Sequence, residues 1–212
     1  MGYYTMNASN DTNFAQIIKI AVQANELKKA EDYLQAIDIY KGMINMFGEF
    51  AEFGQAIASC YFGLGLEKAD EGYFSLAIDW LEKAIQLTPD KSRLLADLGA
   101  IYSFGTLDYQ KAAEAFRASL ELNPGDLEAL TNAAALANVP DGVVSLEEVT
   151  IWLEKATQIE PNNPNFHLDL AMLYAKSGKK DKAKEELLRA LTSSQSLETS
   201  PSRAIKKIIG IK

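Results

Sequence analysis

Three segments of this chain end in the same way, and that repetition restricts the fold more than any other feature. Ala77 is followed by Leu81, Ala84 and Pro89; Ala112 by Phe116, Ser119 and Pro124; Val149 by Leu153, Ala156 and Pro161. The steps are +4, +7 and +12 each time. Steps of four and seven line up one larger and two smaller residues along a single helical face. Proline then stops the helix, because it cannot extend the hydrogen-bond ladder. Ala36, Tyr40 and Met43, and again Ala183, Leu187 and Ala190, keep the pattern without the proline. These are the outermost copies, where a repeat array tolerates atypical sequence. Successive prolines lie 35 and 37 residues apart, a period that points to stacked repeats.

A second helix precedes each copy. It reads Tyr61-x-x-Leu64-Gly65 in one unit, Leu95-x-x-Leu98-Gly99-x-x-Tyr102 in the next, and His167-x-x-Leu170-Ala171-x-x-Tyr174 in the last. Turn signals separate the helices at Gly72 before Tyr73, at Gly105 to Asp108, and at Ser177-Gly178. A glycine or alanine on the first helix lets the alanine-bearing second helix approach within roughly 8–10 Å. The first unit departs from this with Gln23-Ala24, and the helix containing Phe50 to Leu66 is expected to start early. The fourth unit has Ala133-Ala134 and then a longer turn, Asn138 to Gly142, in which Pro140 should end the helix. We expect this longer turn to be a neutral insertion.

These residues resemble the tetratricopeptide-repeat (TPR) family, whose pattern is W-x-x-L-G-x-x-Y, then A-x-x-x-F, then P, over about 34 residues. The resemblance implies an all-α, right-handed superhelical solenoid of about five helix–turn–helix units, with the first helices lining a concave face. A flexible N-terminus is expected at 1–13 and the solenoid at 14–192. Its units fall at about 17–50, 58–91, 92–126, 127–163 and 164–197, with loose ends. A connector (193–200) and a short C-terminal capping helix (201–212) follow. In that last stretch Ser200 and Pro201 suit a helix start, and Ile205, Ile208 and Ile209 share one face beside Lys206 and Lys207.

By register, the groove side of the first helices carries Phe62 and Leu66, then Arg93, Asp97 and Phe104, then Glu128, Thr131 and Asn132, then Asn165, Leu168, Asp169 and Met172. Ala96, Ala100 and Ala135 fall on the same side. Chaperone-binding members of the family hold a C-terminal carboxylate with a clamp of lysine, asparagine and arginine. The matching positions here read Ala21, Asn25, Gly63, Arg93 and Asp97 from the first unit, Phe62, Leu66, Asp97, Glu128 and Asn132 from the second, and Ala96, Ala100, Asn132, Asn165 and Asp169 from the third. None is a basic clamp, so no carboxylate tail is expected as partner.

Charge is distributed unevenly. Residues 1–175 hold 11 basic against 25 acidic residues, and residues 176–212 hold 10 against 4. An acidic body repels nucleic acid and suits a basic or apolar protein or peptide. No run of about 20 apolar residues is available to span a membrane, and the polar opening segment does not read as a signal peptide. Cys60 is the only cysteine, which suits a reducing, cytoplasmic setting. No cofactor or metal site is expected. His167 reads as a packed histidine, and in a solenoid it should not meet Cys60 across intervening repeats. Trp80 and Trp152 occupy one repeat position, which suggests packing. The expected role is therefore a non-enzymatic interaction scaffold or adaptor that binds a peptide or helix. The alternative is a structural subunit, a homo-oligomer assembled through the solenoid edges.

Overall fold

The computed structural model describes residues 8–139 and 142–193. The expected capping helix, most of the connector, and Pro140 lie outside the described residues. Ten α-helices and no strand occur among the described residues, an all-α helical repeat. The chain divides into two compact units, 1–107 and 108–212. Unit 1 contains α1 (Ala8–Lys29), α2 (Tyr33–Phe47), α3 (Ala51–Lys68), α4 (Glu71–Leu87) and α5 (Ser92–Ala100), which runs on into a π turn, Ile101–Gly105. Unit 2 contains α6 (Tyr109–Leu122), α7 (Leu127–Ala135) with a 3₁₀ turn Leu136–Asn138, α8 (Leu146–Ile159), α9 (Pro164–Lys176) and α10 (Lys180–Ser193).

The repeat positions form the core. On α2, α4, α6, α8 and α10 the residues at +0, +4 and +7 are all buried, none more than 3% exposed. Within each unit, small side chains at +0 and +7, Met43 excepted, let neighbouring helices pack closely. The larger residue at +4 fills the space between them; burying one such side chain contributes roughly 1.5–3 kcal/mol. On the partner helices Leu64, Gly65, Leu98 and Gly99 are buried as well, as are Leu170 and Ala171.

Within unit 1, Gly65 has a specific steric role. A Cβ placed there would collide with the ring of Phe74, and one on Gly105 would come within 2.8 Å of the same ring. Phe74 is therefore held between α3 and the π turn, where neither backbone position has room for a side chain. Tyr40 Oη donates to Asn25 Oδ1 at 2.9 Å and ties α2 to α1.

The turns are closed by polar caps. Asp108, Asp126, Ser145 and Asn163 each accept a backbone N–H at the start of α6, α7, α8 and α9. In unit 2 the long turn before α8 is fastened by Arg117 of α6. Its guanidinium donates to both Glu148 carboxylate oxygens, at 2.7 and 2.9 Å, and to the Val143 carbonyl at 3.1 Å.

Two local expectations are corrected. α1 begins at Ala8, inside the stretch 1–13 expected to be flexible. Gly72 lies inside α4, not in a turn. The turn falls earlier, at Ala69 in the left-handed region (φ 52°) and at Asp70, whose side chain accepts the Gly72 N–H. α3 does start early, at Ala51. Val139 is extended (ψ 147°), as the residue before a proline should be.

Glu31, Leu107 and Gly178 stand five residues before the repeat alanines Ala36, Ala112 and Ala183, and all three have positive φ. The repeat turn demands a left-handed residue, and only Gly178 supplies it without a Cβ. At φ 55°, Leu107 carries a cost of roughly 1–2 kcal/mol. Leu107→Gly is expected to raise the unfolding free energy measured by urea denaturation, by about 1 kcal/mol or less once the greater freedom of unfolded glycine is subtracted.

Candidate functional site

One hollow of unit 2 lies on its first helices. α9 buries eight residues, from Phe166 to Ala175, because it is packed by both α8 and α10. A narrow stripe stays accessible along it: Asn165, Asp169, Met172 and Lys176, at steps of four, three and four. α7 and its 3₁₀ turn present a matching exposed stripe of Glu128, Thr131, Ala135 and Asn138. Between the stripes is a hollow of about 280 Å³, floored by Ala134, Val149, Leu153 and Leu173. Thr131, Asp169, Met172, Asn138 and Lys176 form its rim.

The rim polar groups are unequally engaged. The Thr131 hydroxyl donates to the Leu127 carbonyl at 2.7 Å, so toward the hollow its oxygen only accepts. Asp169 has no hydrogen-bond or ion-pair partner among the described residues. It opens to solvent, yet the protein mass around the hollow displaces enough water to push its carboxyl above the ordinary aspartate value.

A raised folded-state value means that the ionised form costs stability at neutral pH, and that the cost disappears once the carboxyl is protonated in both states. Asp169→Asn is therefore expected to raise Tm at pH 7. It should leave Tm unchanged near pH 3, below the ordinary aspartate value of about 3.9. Thermal melts at the two pH values check this.

Of the twelve groove residues expected from sequence, the hollow brings together Thr131, Asp169 and Met172. Asn132 is half-buried and Asn165 exposed, both beside it on the two helices. Glu128 is exposed in the first turn of α7. Leu168 is a correction: it is buried, packing with Leu187 and Ala190 of α10. An α9 covered on two sides leaves too narrow a free arc to include it. In unit 1 the Phe62 ring lies tilted beside Phe74, with centroids 5.8 Å apart, while Leu66 and Phe104 remain more than half exposed. Asp97 is occupied by Gln55 Nε2 at 2.6 Å and lies 4.0 Å from Arg93. Arg93 lines a separate hollow with Gln55, Asp90 and Leu94. Sequence reasoning missed Asn138 and Lys176 on the rim; both continue a stripe whose earlier members it contained.

The residues with chemical potential are engaged structurally. Cys60 is fully buried, and burial pushes its thiol up to about 11, which disfavours the thiolate a nucleophile requires. His167 is buried, with Nδ1 2.6 Å from Glu186 and Nε2 2.9 Å from the Pro161 carbonyl. Trp152 is buried, whereas Trp80 is half-buried with Lys83 over its ring at 5.0 Å. Among the described residues no helix is long and apolar enough to cross a membrane.

Two segments, 58–91 and 153–196, match family models described as tetratricopeptide repeat. The chain thus carries tetratricopeptide repeats in these two segments. No curated protein matches it in sequence. Among solved structures it is similar to MamA, at 18% identity and TM-score 0.66, covering 81% of this chain and 94% of that one. It is similar to YrrB, described as a TPR protein with an unusual peptide-binding site, at 21% identity and TM-score 0.60 over 89% and 90% of the two chains. PilF of Pseudomonas aeruginosa aligns at 15% identity and TM-score 0.69, over 91% and 83%. At these identities the likeness shows the fold alone.

Proposed function

We propose that the chain is a non-enzymatic interaction scaffold, and that the first-helix face of unit 2 binds a peptide or helix of a partner protein. The observation that carries this reading is the hollow between α7 and α9. It combines an apolar floor with a rim carboxylate, Asp169, that has no hydrogen-bond or ion-pair partner among the described residues. A purely structural surface would gain nothing from a desolvated, unpartnered carboxylate, whereas a binding surface gains selectivity. The description of YrrB as peptide-binding supports the reading by analogy of fold. The partner is basic or apolar, and a cytoplasmic location belongs to the same proposal, resting on the lone buried thiol.

The test compares capture from source-cell lysate by the wild type and by Asn132→Ala/Asp169→Lys, matched for Tm. Proteins retained only by the wild type are expected. Identical retention by both would remove the unit 2 groove from consideration.

A second reading, self-association through an edge, is supported by the first hairpin of unit 1. There Ile18 and Val22 of α1 and Leu34 and Met46 of α2 are each about half exposed or more, an unusual density of apolar surface for a free edge. Sedimentation velocity across a hundredfold concentration range distinguishes it. A constant mass would reject assembly.

A further inference from the structure

We propose that the hollow of unit 2 is a receptor for one cationic side chain, a lysine or arginine, carried by an extended partner peptide with apolar neighbours. This deepens the peptide-binding reading and rests on it.

Two rim groups determine the sign of the ligand. Asp169 offers a carboxylate with no partner among the described residues. Thr131 has committed its hydroxyl proton to Leu127, so its free lone pairs also ask for a donor. Two acceptors and no competing donor at that end favour an ammonium or guanidinium group. Beneath them Val149, Leu153, Leu173 and Met172 supply apolar walls. Such walls suit the methylene stem that lysine and arginine bury while the charged head stays near water. A hollow of about 280 Å³ accommodates a single side chain rather than a drug-sized ligand, for which sites begin at about 300 Å³.

The opposite end fixes a polarity. Lys176 lies seven residues further along α9, roughly 10 Å at 1.5 Å per residue. No ion pair joins it to Asp169 among the described residues, so it does not neutralise that carboxylate. Lys176 repels a second cation and favours a peptide carbonyl or an acidic side chain. The selected peptide thus has its basic residue at the Asp169 end and a neutral or acidic stretch toward Lys176.

A random heptapeptide library displayed on phage, selected on the full chain, supplies the probe. Peptides enriched by the wild type should carry lysine or arginine beside apolar residues. Asp169→Asn should abolish the basic preference while retaining the apolar one, and Asp169→Lys should shift it toward acidic residues. The best peptide is then titrated with its lysine or arginine intact or replaced by norleucine. That replacement should weaken binding about tenfold to the wild type and less than about twofold to Asp169→Asn. Ala135→Phe, at an exposed rim position, should weaken every selected peptide by filling the hollow. Enrichment without charge preference, or of acidic peptides by the wild type, would overturn the cation assignment and leave peptide binding intact. No enrichment of any sequence would overturn both.

Discussion

Phe116→Ala should lower the unfolding free energy by about 3–5 kcal/mol, the largest effect of any single truncation in unit 2. Phe116 is the largest of the fully buried side chains. It occupies the +4 repeat position of α6, flanked along the helix by Ala112 and Ser119, which are also wholly inaccessible. Removing the ring sacrifices its transfer free energy. It also leaves a cavity, because the surroundings of a buried ring relax only partially. Leu122 on the same helix is 59% exposed, and Leu122→Ala should change stability by less than about 0.5 kcal/mol. Urea unfolding followed by circular dichroism measures both. Equal effects would mean that the repeat positions do not form the core.

Gly65→Ala is expected to destabilise by about 1–3 kcal/mol, against the usual direction. Alanine ordinarily gains roughly 1 kcal/mol over glycine within a helix. Here the added methyl meets the Phe74 ring, and that ring cannot retreat because Gly105 closes the other side. Overlap therefore exceeds propensity. Gly42 in α2 is the control: a Cβ there meets nothing within 4 Å, so Gly42→Ala should stabilise. Shortening the obstacle should rescue the loss, making Gly65→Ala/Phe74→Leu less damaged than the two single changes summed. A Gly65→Ala protein as stable as the wild type would show that Phe74 is not confined.

The repeat was legible because its message is redundant. Five copies of one spacing predict a buried face, and all fifteen of those positions are buried. Helix ends were legible where proline or a capping Asp, Ser or Asn marks them. They were less so at Gly72, because a glycine preceded by a capping aspartate serves equally well inside a first helical turn. The π turn at Ile101–Gly105 left no mark in the residue pattern. It brings the Gly105 backbone against Phe74, a contact between residues 31 positions apart in sequence.

The candidate groove face was less legible for a related reason. Period alone indicates which residues share a side of α9, but not how wide the covered arc is. Leu168 and Asp169 are neighbours in sequence. One is sealed against α10 and the other stands on the rim, and only the presence of a helix on each flank of α9 separates them. Lys176 and Asn138 sit at the ends of their helices, where residues read more readily as turn than as groove.

Hydrogen–deuterium exchange of the full chain, with and without a captured partner or selected peptide, tests the central claim most directly. The account predicts slowed exchange concentrated in 127–138 and 164–176, the backbone of the two stripes, with little change along α8 and α10. Protection confined to α8 and α10, or to α1 and α2, would contradict it and move the working surface elsewhere.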